Sequence, residues 1–517
     1  MKALKTTGAY LLIISCLSFL AVFFMVDYQL ETTDIDSIIQ EKHQADINHQ
    51  LHPLIGKSYK SPITFVYHLY AAVDQLNQQY TANQQWDLVI YDPYVMQLAM
   101  AAANGYLIEQ PDYFFFGWLT LFMIASLMYL LPDALLKGPP GIKNNNIFNN
   151  PLNNRGWTGI LIGSTLILFY IIIYFYEAYL VPYIIWVNPL KQLLVPGSTS
   201  SQWFFYGFLY TLAVLVMGIR MLLKYRHSRY QQVRTISVIF FQTAFAFVLP
   251  EILVRLNQPY FDFKNMWPLD YDFFDAWHIN MLTQSGGTGI FMFAWGISLF
   301  LIGVPVFTYF YGKRWYCSWV CGCGGLAETA GDSFRQLSDK SLKAWEFERW
   351  LIHGVLVFAV VMTLAVIYNF ITGTDTLFGF STYNYLRKPY GFYIGAIFSG
   401  VVGTGFYPLM GNRVWCRFGC PLAAYLGIIQ RFKSRFRITT NGGQCISCGN
   451  CSTYCEMGID VRWYAQRGQN IVRSSCVGCG VCSAVCPRGV LNLENASPKS
   501  RFDLPVIASR KELNIKD

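Results

Sequence analysis

The sequence predicts an all-α polytopic membrane protein of about eight transmembrane helices. A small α+β cysteine-rich domain follows them at the C-terminal end of the chain. Three observations predict this. Hydrophobic residues make up 54% of the 517 and charged residues only 13%, about half the share usual in a soluble domain. Apolar runs recur along the chain, each near the ~20 residues that a helix needs to cross the hydrocarbon core. Eight of the fourteen cysteines crowd between Gln444 and Pro487.

The elements follow in order. Residues 1–27 carry Lys2 and Lys5 and then an unbroken apolar run, "AYLLIISCLSFLAVFFMV". That run is long for a secretory signal and no small-x-small cleavage site follows, so an uncleaved anchor with its N-terminus inside is expected. Cys16 within it reads as a small buried hydrophobe. Residues 28–112 are a polar insert, poor in Lys and Arg, with the periodicity of amphipathic helices. His43, His49, His52 and His68 there match no ligand spacing and read as surface or satisfied histidines. Residues 113–234 hold spans two to four and 235–430 hold spans five to eight.

Loop charges set the orientation. Lys137, Lys143 and Arg155, then Lys224, Arg226, Arg229 and Arg234, then Lys313, Arg314, Arg335, Lys340, Lys343 and Arg349 all fall in loops assigned inside. The loops 178–202 and 256–288 hold almost none, and Arg387 and Lys388 are the exceptions on the outside. The formal charge of +9 is thus an orientation signal, which excludes a nucleic-acid partner. The N-terminus and the cysteine-rich domain at 431–496 are placed in the cytoplasm and residues 28–112 in the periplasm, in a bacterial inner membrane. A polar tail, 497–517, is expected to be poorly ordered.

The array reads "CISCGNCSTYC" and "CVGCGVCSAVCP". In such runs three close cysteines hold one iron–sulfur cubane and the fourth holds the other. Cys445, Cys448, Cys451 and Cys486 are therefore assigned to one [4Fe–4S] cluster, and Cys455, Cys476, Cys479 and Cys482 to a second. The domain is expected to have a double-cubane ferredoxin-like fold. Structural zinc also takes four thiolates, but two complete interleaved runs favour cubanes. Glu456 stands where the second run has Pro487, and an acidic neighbour is expected to lower the cluster potential.

Two quieter motifs share a frame. "GKRWYCSWVCG" carries Cys317 and Cys321; "GNRVWCRFGCP" carries Cys416 and Cys420. They read as an internal repeat in which spans 5–6 match 7–8. The i, i+4 spacing is expected to put each pair on one helix face, at the cytoplasmic edge of the membrane, as a four-thiolate redox or metal site. Cys323 is left unassigned. Arg314 and Arg413 beside these motifs are expected to tune the site or to bind lipid phosphate.

"WYCSWVCG", "WCRFGCPLAAY" and the double array together resemble the polyferredoxin membrane proteins of the NapH, NosR and CcoG type, over roughly residues 235 to 495. The resemblance implies electron movement between the quinone pool, or cytoplasmic donors, and periplasmic or metal-handling partners. It also implies that Cys317, Cys321, Cys416 and Cys420 are site residues beside the eight cluster ligands. This chain departs in having Gly322, not Pro, after Cys321. It has no flavin-attachment motif within 28–112, so no flavin is expected. His278 and His353 fall at opposite depths, so no haem is expected either.

The function expected is membrane-bound iron–sulfur electron transfer, with quinone, quinol or a redox subunit as partner. The alternative is an accessory factor that reduces or handles a metal ion during maturation of a respiratory oxidase or reductase; a third reading is a redox-sensing regulator. No bond-making catalytic residue is assigned.

Overall fold

In the computed structural model, residues 1–91, 93–136, 140–141 and 155–495 are described. The 497–517 tail, Lys137 and Lys143 lie outside them. Seven helices are long and apolar enough to cross a membrane: α1 (Lys2–Phe24), α2 (Pro111–Pro132), α3 (Trp157–Phe175), α4 (Gln202–Lys224), α5 (Arg229–Arg255), α6 (Gly286–Tyr311) and, after the short α7 (Gly322–Glu328), α8 (Leu342–Thr372). A second shorter helix is α9 (Pro421–Lys433). The protein is a multi-pass membrane protein. The eighth apolar run is also helical, but residues Tyr390–Val402 wind in wide π turns, and it is not one of the seven.

Two compact units divide the chain: residues 1–136 with 171–209, and 137–170 with 210–517. In the first, α1 and α2 run side by side, so close that a Cβ on Gly8 would come within 2.7 Å of the Tyr129 nitrogen. Small residues permit such approach between apolar helices. Trp118 Nε1 donates to the Ser15 carbonyl at 2.8 Å. The insert between them has its own core of Tyr28, Ile35, Phe65 and Leu98, all fully buried. Its helices are joined by three short strands that the sequence reading did not anticipate, β1 (Asp27–Gln29), β2 (Ser58–Tyr59) and β3 (Ala103–Asn104), in the order β2-β1-β3. His43 is buried there and satisfied, with Nδ1 3.2 Å from the Tyr94 hydroxyl and Nε2 3.0 Å from the Leu88 carbonyl.

The second unit holds every cysteine of the motifs. Strands β4 (Phe436–Thr440) and β5 (Leu491–Asn495) pair antiparallel across the cysteine-rich domain, from Phe436↔Asn495 to Thr440↔Leu491. Arg387, the apparent exception to the loop charges, is neutralised locally. It pairs with Asp272 and with Asp275 at 2.8 Å and stacks over Tyr271, so its charge is matched within the acidic loop itself.

Candidate metal centres

The cysteine-rich domain folds its two runs into matching turns. Gly449 and Gly480, each right after the second cysteine of its triplet, adopt φ of +81° and +72°, and a one-turn helix follows each. A left-handed glycine there lets the chain curl without a Cβ clash. Ser447, the residue before Cys448, and Gly478, the residue before Cys479, are also left-handed, at +59° and +64°. The result is two cysteine-lined cavities. Cys445, Cys448, Cys451 and Cys486 line the first and Cys455, Cys476, Cys479 and Cys482 line the second. These are the two interleaved sets expected from the spacing.

The cavities fit a cluster better than a single ion. A tetrahedral tetrathiolate ion with bonds of ~2.3 Å holds its sulfurs only ~3.8 Å apart. Among the described residues, no three cysteine sulfurs lie within 4.8 Å of one another. Burial pushes the Cys451 thiol up to about 12, and raises Cys455, Cys479 and Cys482 as well. Such thiols ionise only against a strong local positive charge, which a bound metal supplies.

Cys317, Cys321, Cys416 and Cys420 are all buried and pack in one apolar cluster that also contains Cys451, Cys476 and Cys482. Their local structure differs from the expectation. Neither pair shares one helix face. Cys317 ends a single helical turn, and Cys321 is extended at the N-cap of α7. Cys416 lies in a π turn, and Cys420 is extended at the N-cap of α9, where its sulfur accepts from the Ala423 N–H at 3.4 Å. Pro421 fixes the first turn of α9 and forbids a continuous helix through Cys420.

The backbone around the second cysteines is held by neighbouring helices. The Val320 carbonyl accepts from Gln242 at 2.7 Å and the Gly322 carbonyl from Tyr210 at 2.6 Å. Gln242 stands ~20 Å along α5 from its Arg229 end at 1.5 Å per residue. The 13 residues of α9 likewise put Cys420 ~20 Å above Lys433. Lys433 lies near the end of α6, since Arg435 N donates to the Tyr309 carbonyl at 2.7 Å. Cys321 and Cys420 each sit in irregular backbone between apolar helices, at the N-caps of α7 and α9. Irregular backbone survives there only when protein satisfies it. Gln242 and Tyr210 do so, and Ser237 serves the Trp319 carbonyl at 3.1 Å. Cys323, unassigned from the sequence, lies within hydrogen-bonding reach of Cys321.

A buried charge network joins the two cysteine groups. Glu328 pairs with Arg234, with Arg335 at 3.2 Å and with Arg413 at 2.6 Å. Glu456 pairs with Arg335 at 2.9 Å and Arg413 at 3.0 Å, and Asp332 with Arg335 at 3.2 Å and Lys224 at 2.5 Å. Arg335 reaches the Cys479 sulfur at 3.8 Å and Arg413 the Cys416 sulfur at 3.6 Å. Glu456 is therefore no bare acid beside a cluster: two guanidiniums offset its charge, and the expected lowering of potential loses its basis. Arg413 is 1% exposed and faces sulfur, not lipid. Arg314 instead stacks on Phe436 at 4.7 Å and bonds Asn495 at 3.1 Å, holding β4 and β5. The sequence reading counted Arg234 and Arg335 as loop charges. Their distance in sequence from Glu456 hid the network.

With its two cysteine-lined cavities beside apolar helices, the chain is an iron–sulfur protein of the ferredoxin type set in a membrane. Residues 444–491 match the family described as 4Fe-4S dicluster domain, and residues 293–341 and 391–439 each match the 4Fe-4S binding domain. The last two matches cover the segments that carry Cys317 with Cys321 and Cys416 with Cys420, as an internal repeat requires. The chain is 29% identical over 162 residues to the putative electron transport protein YccM of Escherichia coli (strain K12), an alignment covering 29% of this chain and 43% of that protein. It is 25% identical over 166 residues to the methylamine utilization ferredoxin-type protein MauN of Methylobacillus flagellatus, covering 30% and 53%. The chain spans about half the length of the curated relatives it matches. No solved structure matches it.

Proposed function

We propose that this protein carries single electrons between a [4Fe–4S] pair in its cysteine-rich domain and a redox site inside the bilayer, and from there to quinone or to a membrane or periplasmic redox partner. The observation that carries the reading is one contiguous buried cluster of side chains. It runs from Cys451, beside the exposed Cys448, through Cys476 and Cys482 to Cys321 and Cys420 among the apolar helices. Clusters of this kind take and give one electron at a time. The residues of the chain would hold the eight thiolates in two cages and bring four further buried thiols into the same cluster, next to the apolar helices. The cages are proposed as Cys445, Cys448, Cys451 and Cys486, and Cys455, Cys476, Cys479 and Cys482. The basic ends of the helices, with Lys224, Arg226 and Arg229, support a cytoplasmic position for the cysteine-rich domain and a periplasmic one for residues 28–112. The names of YccM and MauN, electron transport and ferredoxin-type, agree with this reading.

The test is anaerobic purification in detergent, followed by quinol addition under electron paramagnetic resonance. Reduction of the clusters by quinol, or their oxidation by quinone, supports the reading. Cys416→Ser with Cys420→Ser is expected to abolish the exchange while dithionite still reduces the clusters. Undiminished exchange in that variant would refute the bilayer route. A second reading, an accessory factor that reduces a soft metal ion, uses the same route with another acceptor. Cys323 beside Cys321 favours it, since paired thiols suit such ions; metal-ion reduction by the quinol-inert protein would select it.

A further inference from the structure

The two halves of the membrane repeat are not equivalent. Cys317 and Cys321 answer to Cys416 and Cys420, but Gly322 and Cys323 stand where the second half has Pro421 and Leu422. Leu422 is an ordinary apolar core residue, 1% exposed. The first half alone therefore carries an additional thiol.

Geometry makes that thiol a partner of Cys321. Gly322 is the first residue of α7. Helical dihedrals there set the Cα atoms of its two neighbours ~5.4 Å apart, inside the ~4.4–6.8 Å that a disulfide spans. The Cys321 and Cys323 side chains lie within hydrogen-bonding reach of each other, and both are free thiols. Cys323 is also within electrostatic reach of Cys416 and Cys420. No third thiol closes on the pair, since among the described residues no three cysteine sulfurs lie within 4.8 Å of one another.

The surroundings are polar for a place among apolar helices. A Cβ on residue 322 would come 3.3 Å from Gln242 Oε1, 3.5 Å from the Tyr210 hydroxyl and 4.0 Å from Lys264 Nζ. Glycine keeps this space open, and a proline ring, as in Pro421, would crowd it. Gln242 is fully buried, and its Nε2 donates to the Val320 carbonyl. Its Oε1 makes no hydrogen bond among the described residues. A buried acceptor without a donor calls for one. Lys264 is held in place through its carbonyl, which accepts from the Tyr316 hydroxyl at 3.0 Å, and through Asp262 at 2.7 Å. Its ammonium repels a metal cation at the pair and suits a group that gains and loses protons.

We propose that Cys321 and Cys323 are a redox-active dithiol that joins one-electron iron–sulfur chemistry to the two-electron chemistry of a quinone. The inference rests on the electron-transfer reading and names the group that meets the quinone. The Cys321–Cys323 disulfide accepts two electrons singly from iron–sulfur donors. Its S–S bond breaks, and each sulfur takes a proton drawn from solvent past Asp262 and Lys264. The dithiol then gives two electrons and two protons to the quinone, the S–S bond re-forms and quinol leaves. Gln242 Oε1 accepts a hydrogen bond from a quinol hydroxyl in the space beside Gly322.

Thiol trapping in the full-length protein, purified anaerobically in detergent, tests this. The protein is reduced with dithionite or oxidised with duroquinone, whose fully substituted ring does not add thiols. It is then quenched in acid, unfolded and alkylated, and the peptide holding Cys317, Cys321 and Cys323 is sequenced by mass spectrometry. Dithionite is expected to leave all three open to alkylation. Duroquinone is expected to join Cys321 to Cys323 and leave Cys317 alkylated. Acid frees a metal ligand as a thiol, so alkylation of both Cys321 and Cys323 after duroquinone overturns the proposal in favour of a metal site. A bond from Cys321 to any other cysteine overturns the pairing. Cys323→Ser is expected to keep the paramagnetic signals of the eight-cysteine domain. It is expected to take up about two electrons fewer in a dithionite titration and to exchange with duroquinone at least about tenfold more slowly. Undiminished exchange in that variant overturns the proposal. Absence of any iron–sulfur signal in the unsubstituted protein overturns the underlying reading instead.

Discussion

Replacing Glu328 with Gln is the sharpest structural perturbation available. The Glu328 side chain is 2% exposed and contacts three guanidiniums, those of Arg234, Arg335 and Arg413, each at most 1% exposed. At ~3 Å and an effective dielectric of ~20 each contact is worth ~5 kcal/mol of Coulomb attraction before desolvation. The net cost is smaller, because burying the ions already cost much of that. Breaking a buried pair by removing one partner costs ~3–5 kcal/mol, since the other charge is left unmatched in low dielectric. At ~2 °C per kcal/mol for a unit of this size, Tm is expected to fall by ~6–10 °C. Thermal unfolding in detergent followed by tryptophan fluorescence reads this. Glu346→Gln, at an exposed position, is the control and is expected to change stability by at most ~0.5 kcal/mol. Adding Arg234→Met to Glu328→Gln removes one unmatched cation, so the double variant is expected to lose less than the sum of the singles. A Glu328→Gln protein melting within ~1 °C of the parent, or strict additivity in the double variant, would refute the account of the network.

Three other outcomes are expected. Cys448→Ser and Cys486→Ser are expected to remove the same paramagnetic signal, and Cys482→Ser the other, because the fourth cysteine of each run serves the opposite cage. Loss of one shared signal in Cys482→Ser and Cys486→Ser would disprove that interleaving. Gly324→Ala sets a Cβ 2.1 Å from the Cys317 carbonyl oxygen, a backbone contact with little room to yield. Packing around the paired cysteines is expected to lose ~1–3 kcal/mol, read as a lower Tm, while the spectrum of the eight-cysteine domain stays unchanged. In metal-stripped protein, a charged maleimide is expected to label the exposed Cys448 and to leave Cys321 and Cys420 unmodified; equal labelling by mass spectrometry would contradict their burial.

Much of this architecture is legible in the sequence because its signals are local. Apolar length reports the spans, and the two cages follow from cysteine spacing alone, since each triplet is a single turn-rich segment. The packing of the paired membrane cysteines is not legible in that way. "KRWYCSWVCGCGG" is short, polar and rich in glycine, which by hydropathy is an aqueous loop. It packs among the apolar helices because Tyr210, Ser237 and Gln242 on other helices satisfy its carbonyls. The same holds for Glu456: its partners, Arg335 and Arg413, are 121 and 43 residues away in sequence, and no local pattern announces them. The i, i+4 spacing of the membrane cysteines misleads for a further reason. Pro421 and the break before Gly322 interrupt the helix to which that spacing would apply.

Metal content of the anaerobically purified full-length protein, with spectroscopy of its dithionite-reduced form, bears most directly on the central claim. The account predicts at least about eight irons with matching acid-labile sulfide, for two cubanes, and paramagnetic signals from two distinct centres on reduction. Stoichiometric zinc without sulfide or paramagnetic signals would contradict it.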